Sequence, residues 1–172
     1  MVKLTIDGIQ VEAEKGTSIL HAAESVGIEV PTLCYIKDLL PDGSCRMCMV
    51  EIENRGRTKM ETACTAQVAE GLVVTTNSEK VRNARRNILD MLLSNHKTDC
   101  FSCPSNGDCK LQELCFEYGI ERTTYSGEQT ELPIDDSNKF FTYNPNLCIL
   151  CHRCVNTCHK IVGRGAIDTM ER

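Results

Sequence analysis

Residues 2–34 read VKLTIDGIQVEAEKGTSILHAAESVGIEVPTLC, and their pattern decides the architecture of the front of the chain. Val2, Leu4 and Ile6 alternate with polar residues, Asp7–Gly8 supplies a turn, and Ile9, Val11 and Ala13 alternate again. That is the signature of a β-hairpin. The period then lengthens. Thr17 or Ser18 can cap a helix whose apolar positions are Ile19, Leu20, Ala22, Ala23 and Val26. Gly27 ends that helix and Pro31 prevents its return. Cys34 closes the stretch and begins a series of twelve cysteines in 172 residues.

Two further strands read from MCMVEIEN (47–54) and GLVVTTN (71–77). A hairpin, a crossing helix and more strands make a small mixed sheet of the β-grasp kind, the first part of an α+β chain. The aromatic content of 5% and the absence of tryptophan leave no large aromatic core. Something besides apolar burial then helps to hold the fold, as in small metal-stapled domains. The N-terminus has no apolar core of signal-peptide length, and no stretch reaches the roughly 18 apolar residues of a spanning helix. The expectation is a cytoplasmic chain with reduced thiols and no direct membrane insertion. Metal binding is then the leading use of the cysteines, ahead of a disulfide framework. A net charge of −5 argues against nucleic acid as a partner.

The cysteines fall into three groups: Cys34, Cys45, Cys48 and Cys64; Cys100, Cys103, Cys109 and Cys115; and Cys148, Cys151, Cys154 and Cys158. Three modules are expected: 1–78, a β-grasp domain; 79–120, a small helical domain; and 121–172, a ferredoxin-like domain that is incomplete. TNSEKVRNARRNILDMLLSNH reads as a long helix, with Thr76 and Glu79 at capping-box spacing and Val81, Ile88, Met91 and Leu92 on one face. Arg82, Arg85 and Arg86 read as a solvated face, with docking onto an acidic partner as the alternative. DCKLQELCFEYGI reads as a second, shorter helix, and RTTYSGEQTELPIDDSNKF as a linker.

The third group has the intervals C-x2-C-x2-C-x3-C, the ferredoxin run that holds a [4Fe–4S] cluster. Zinc sites use two separated pairs instead. In two-cluster ferredoxins the fourth cysteine of this run ligates the other cluster, so Cys158 belongs either to the same centre as Cys148, Cys151 and Cys154 or to a second one. The first group has intervals of ten, two and fifteen residues. It keeps the C-x2-C pair and distant fourth cysteine of plant-type [2Fe–2S] sites but lengthens the first interval. By itself this spacing admits zinc; on a β-grasp scaffold it points to [2Fe–2S]. Gly43 and Ser44 leave space and N–H groups near the sulfurs. The second group reads H-x3-C-x2-C-x5-C from His96 to Cys109. Two readings of His96 stand on spacing: a helix C-cap, and a cluster ligand through neutral imidazole. Cys115 reads as a buried structural thiol, and His21, His152 and His159 as non-ligands. Arg46 and Arg153 each lie between two cysteines, where they either offset thiolate charge or simply face solvent.

This order of three motifs, with the strings PTLCYI, GSCRMCMVEIE, NGDCKLQEL and NLCILCHRCVNTC, resembles one known electron-input region. It is shared by the large iron–sulfur subunit of NADH:quinone oxidoreductase (complex I), iron-only hydrogenases, diaphorase parts of NAD(P)-linked hydrogenases and NAD-linked formate dehydrogenases. The resemblance implies a [4Fe–4S] cluster on His96, Cys100, Cys103 and Cys109. It implies one [2Fe–2S] cluster on Cys34, Cys45, Cys48 and Cys64, and a further [4Fe–4S] cluster at the third run. It also implies a flavin- and NAD(P)-binding partner, a thioredoxin-like [2Fe–2S] subunit, and a hydrogenase, formate dehydrogenase or quinone-reducing module at the far end. Family members usually continue into a second cysteine run, whereas this chain ends at GAIDTMER. Three arrangements follow: an excised front end, a short subunit completed by a partner, or a lone cluster closed by Cys158.

The expected function is electron transfer without a substrate site of its own, because no dinucleotide fingerprint, P-loop or nucleophile elbow occurs. The alternatives are a zinc-stapled interaction module and a cluster-dependent sensor. A sensor would need a basic recognition element that the sequence does not offer.

Overall fold

The computed structural model describes residues 1–127 and 131–169. It divides into two compact units, one of residues 1–82 with 151–172 and the other of residues 83–150.

The first unit is built on a five-stranded sheet of order β2-β1-β5-β3-β4. Strands β1 (Val2–Ile6) and β2 (Ile9–Ala13) form the expected hairpin, with Ile6 opposite Ile9. The two-residue loop needs positive φ at both positions, and Asp7 (47°) and Gly8 (83°) supply it. Strand β3 spans Met49–Asn54, β4 Arg57–Thr62 and β5 Leu72–Thr75. β5 runs parallel to β1 and antiparallel to β3, and this central crossover makes the sheet mixed.

Register places the apolar set on one face. Leu4 pairs with Leu72 and with Val11, Ile6 with Val74, and Ile52 with Val74. All of these are buried, and Ile19, Leu20, Ala22 and Ala23 of helix α1 (Ile19–Glu24) cover them. A one-residue slip would turn the whole set to the other face, so burial fixes the register. Ser18 caps α1 by accepting the His21 amide. At the far end the Ile28 and Gly27 amides reach the Ala23 and Glu24 carbonyls, and Gly27 (φ 76°) makes the reversal.

The structure departs from the sequence reading at four points. Strand β4 had no hydrophobic alternation to announce it: RTKMET is a polar edge strand, and its Lys59 suits an unpaired edge. Thr76 does not cap the long helix α2 (Glu79–Ser94). Its amide and hydroxyl go to the Asp7 carboxylate, tying the hairpin turn to the end of β5, while the Ser78 hydroxyl accepts the Val81 amide. Finally, Arg85 is no part of a solvated face. It is 3% exposed and donates to the Tyr118 hydroxyl at 3.0 Å, on the side of α2 that buries Leu89 and Leu93. Met91, expected on the apolar face, is instead 52% exposed.

In the second unit α3 (Lys110–Glu117) buries Leu111, Leu114 and Cys115. Gly119 (φ 65°) ends it, with the Gly119 and Ile120 amides returning to the Phe116 and Cys115 carbonyls. Arg86 donates to the Tyr118 carbonyl. The stretch read as a linker makes specific contacts of its own. The Thr123 and Thr124 hydroxyls and the Thr124 amide bond the Asp90 carboxylate, and Asp135 pairs with Tyr143. Residues 128–130 of that stretch lie outside the described residues.

Candidate metal centres

All twelve cysteines are free thiols. The first set is buried in all four members and sits where strand and loop meet. Cys34 follows the turn after α1, Cys45 and Cys48 flank the bend into β3, and Cys64 lies just past β4. Two amides aim at sulfur: Cys34 N–H donates to Cys45 Sγ at 3.3 Å, and Met47 N–H to the same atom at 3.5 Å. The Met47 bond is possible because Arg46 takes φ 58°, which turns the peptide inward between Cys45 and Cys48. The Arg46 side chain itself is exposed. Gly43 (φ 65°) is buried, and a Cβ there would meet Thr65 Cγ2 at 3.1 Å. Its contribution is thus close packing of the loop, while Ser44 reaches Cys34 with side chain and backbone.

Electrostatics divides the four thiols into two proton-sharing pairs. The bond from Cys45 draws Cys34 down to about 5 against the desolvation that opposes it. The bond from Cys64, its sulfur 3.3 Å away, draws Cys48 down to about 7. Cys45 and Cys64 are pushed up by those same bonds and by burial. Cys34 and Cys48 carry the lowered values and Cys45 and Cys64 the raised ones, and the charge of each pair reaches the other, although among the described residues no three His, Cys, Asp or Glu side chains already converge as a metal site. Iron can displace the two remaining protons, so the donor set fits a thiolate-bound centre.

The second set lines a cavity of about 810 Å³ that contains His96, Cys100, Cys103 and Cys109, walled by Leu93 and Leu111. Cys100 is exposed and Cys103 and Cys109 are half-buried. His96 lies two residues past α2. Its backbone amide reaches the Leu93 carbonyl. Nδ1 is buried with no hydrogen-bond partner among the described residues. Burial also holds the imidazole below its ordinary value of 6.5, and therefore neutral. A buried, unpartnered, neutral nitrogen in a cavity with three cysteines is what a metal ligand requires and what a helix cap does not. Cys115 also lines this cavity; burial, then the Cys100 and Cys109 charges, push it up to about 11.

The third run is shared between the units, and each part is described by itself. In residues 83–150, Cys148 is half-buried and its sulfur accepts the Leu150 amide at 3.4 Å, Leu150 being turned to φ 55°. The Asn146 amide grips both backbone groups of Leu132 and so anchors the approach to Cys148. In the other unit, α4 (Arg153–Asn156) continues as a wide π-helical turn, Thr157–Ile161. Cys151 is half-buried, Cys154 exposed and Cys158 buried. Cys158 Sγ accepts the Ala166 amide at 3.2 Å, and its carbonyl takes the Arg164 amide. His152 (φ 58°) starts α4, Arg153 is exposed, His159 Nε2 pairs with the Ile167 carbonyl, and His21 bonds the Tyr35 hydroxyl. Spacing could not reveal the left-handed residues Arg46, Leu150 and His152, since none is glycine; their positions between paired cysteines are the only sign.

Comparison with known proteins agrees with this geometry. Residues 1–79 match the family described as a 2Fe-2S iron-sulfur cluster binding domain, and residues 85–124 the NADH-ubiquinone oxidoreductase-G iron-sulfur binding region. A chain in the crystal structure of NAD+-reducing [NiFe]-hydrogenase in the H2-reduced state superposes with a TM-score of 0.89. It is 31% identical, over 99% of this chain and 71% of that one. The chain belongs to the iron–sulfur subunit family of NADH oxidoreductases and NAD-linked hydrogenases. It is 41% identical over its whole length to an NADH-quinone oxidoreductase subunit of Rhizobium meliloti, covering 20% of that protein. It is 42% identical to the NADPH-Fe(3+) oxidoreductase subunit alpha of Geobacter sulfurreducens, again covering 20%. The chain thus spans about a fifth of the length of these curated relatives. As a member of this family it carries 2Fe-2S and 4Fe-4S iron–sulfur binding regions. Among the described residues no helix is long and apolar enough to cross a membrane.

Proposed function

We propose that this chain carries electrons through three centres. A [2Fe–2S] cluster is held by Cys34, Cys45, Cys48 and Cys64. A [4Fe–4S] cluster is held by His96, Cys100, Cys103 and Cys109. A further [4Fe–4S] cluster is held by Cys148, Cys151 and Cys154, with Cys158 on the same or a second centre. The segments 1–78, 79–120 and 121–172 are the functional modules of this reading. The unpartnered Nδ1 of His96 in the cysteine-lined cavity carries it most directly.

Bound clusters supply one-electron chemistry with little rearrangement. The residues set its terms. Amides aimed at Cys45 and Cys148 offset thiolate charge, which favours the reduced state. Neutral His96 brings one negative charge fewer than a fourth thiolate, so the second site holds an added electron more readily than an all-cysteine site would. Leu93 and Leu111 wall its cavity with apolar surface.

The names of the relatives support the setting: an NADH-quinone oxidoreductase subunit, an NADPH-Fe(3+) oxidoreductase subunit and an NAD+-reducing hydrogenase. The chain passes electrons between a flavin- and NAD(P)-binding partner and a hydrogenase, formate dehydrogenase or quinone-reducing module, with a thioredoxin-like [2Fe–2S] subunit as a further neighbour. It works in the cytoplasm, where thiols stay reduced.

The test is iron, acid-labile sulfide and zinc per chain, isolated without oxygen. About ten irons fit three loaded centres, and about six mean that the first two load alone. Zinc in place of iron overturns the electron-transfer reading.

A further inference from the structure

The loop between Cys34 and Cys45 does more than carry two ligands. Its Asp42 carboxylate receives two donors from the far end of the same unit. Asn156 Nδ2 bonds one oxygen and Lys160 Nζ bonds the other at 3.0 Å. Lys160 also donates to the Leu40 carbonyl at 3.2 Å, so the loop is gripped at side chain and backbone. The donors belong to α4 and its π-helical continuation, the segment that carries Cys154 and Cys158. Asn156 and Lys160 are four residues apart on helical backbone, which turns them to one side. The Asn156 and Lys160 bonds hold the Asp42 carboxyl below the usual carboxylate range.

These contacts are poorly explained as a stability device. Lys160 and Asp42 are 36% and 35% exposed, and ion pairs that open contribute little. Their geometry is more informative. A carboxylate with each oxygen on a different donor fixes orientation as well as distance. Behind Asp42, Gly43 is buried against Thr65, so the loop is backed where it is gripped. The pairing also bridges more than a hundred residues of sequence to join two cysteine-bearing segments.

We propose that Asp42 is a positioning residue. By gripping Asn156 and Lys160, it sets the spacing between the first cysteine set and Cys154 and Cys158 for electron exchange. The proposal rests on the reading that both segments hold iron.

The experiment compares the whole chain with its Asp42→Ala and Lys160→Met variants, and with Asp42→Lys combined with Lys160→Asp. Each is loaded without oxygen and fully reduced. Three quantities are read: iron per chain, spin relaxation of the [2Fe–2S] resonance, and hydrogen exchange of amides 153–161. In the wild type the neighbouring reduced centre speeds relaxation. Both single variants lose that enhancement at unchanged iron content, and their 153–161 amides exchange about tenfold faster, as for a locally released segment. The charge-reversed pair recovers part of both. About ten irons with relaxation unchanged in the variants overturns the proposal alone, whether or not exchange rises. About six irons in the wild type overturns the third-centre reading and the proposal with it.

Discussion

The first and second cysteine sets present the same thiols in opposite states of preparation. Cys48 and Cys64 are 1% and 2% exposed and belong to the core cluster that joins sheet and helix. Their positions are fixed by strand register before any metal arrives. Cys100, by contrast, is exposed, its neighbour Phe101 is 98% exposed, and the cavity around them is about 810 Å³. A sheet can hold four ligands by packing alone. A loop between two helices holds them loosely until something fills the space, and metal binding then becomes part of the folding of that loop.

The comparison is easiest to break with a chelator. Under anaerobic challenge the four irons of the second set leave well before the two of the first, because Cys100 is open to water and Cys48 and Cys64 are not. Iron release followed against the visible and spin-resonance signals of each centre checks this. Loss of the [2Fe–2S] signal first would reverse the ranking.

A narrower test removes one ligand. His96→Ala lowers iron by about four per chain and leaves the [2Fe–2S] signal intact. His96→Cys restores the iron, and the added thiolate charge lowers the potential of that centre relative to wild type. If His96→Ala keeps full iron and an unchanged spectrum, His96 is not a ligand of that centre.

Much of this was legible because the chemistry imposes spacing. Cysteine intervals divided the twelve thiols into three groups, and alternation placed β1, β2, β3 and β5. Strand β4 was illegible because an edge strand buries little: only Thr62 at its end is fully covered, so polar side chains stand where alternation would show. Arg85 misled for the opposite reason. A charged residue at helical spacing reads as solvent-facing, and only the distant Tyr118 explains its burial. The grip of Asp42 on Asn156 and Lys160 had no sequence signal, since three common polar residues more than a hundred positions apart carry no pattern.

Acid should separate the two sets less drastically. Burial lowers the His96 value below 6.5, so well above that pH the imidazole is neutral in folded and unfolded metal-free chain alike. As the pH falls past 6.5 the unfolded chain takes up a proton first. The stability is therefore present above 6.5 and lost as pH falls through the lowered folded value. Exchange of amides 93–97 in metal-free protein rises over that window, and His96→Gln removes the rise. In the first set, the thiol held lowest is Cys34, at about 5. Its stabilisation is lost as pH falls from the ordinary thiol value of 9.0 towards 5, so amides around it begin to open in metal-free protein at a higher pH than those of residues 93–97.

The smallest effect concerns what supports the second set from behind. Tyr118 follows α3, its hydroxyl accepts from buried Arg85, and its carbonyl accepts from Arg86. Both bonds tie α3, which starts next to Cys109, to α2, which ends just before His96. Tyr118→Phe removes only the hydroxyl and leaves the carbonyl bond and the ring in place. A buried guanidinium that loses one acceptor costs about 1–3 kcal/mol, read as a lower midpoint for the residue 83–127 amides in denaturant-dependent exchange. The β1 and β5 amides keep their midpoint if the sheet that prepares the first set is independent of this tie. If they fall together with the α2 and α3 amides, the two cysteine sets share one cooperative framework, and the contrast in their preparation is confined to the ligand loops.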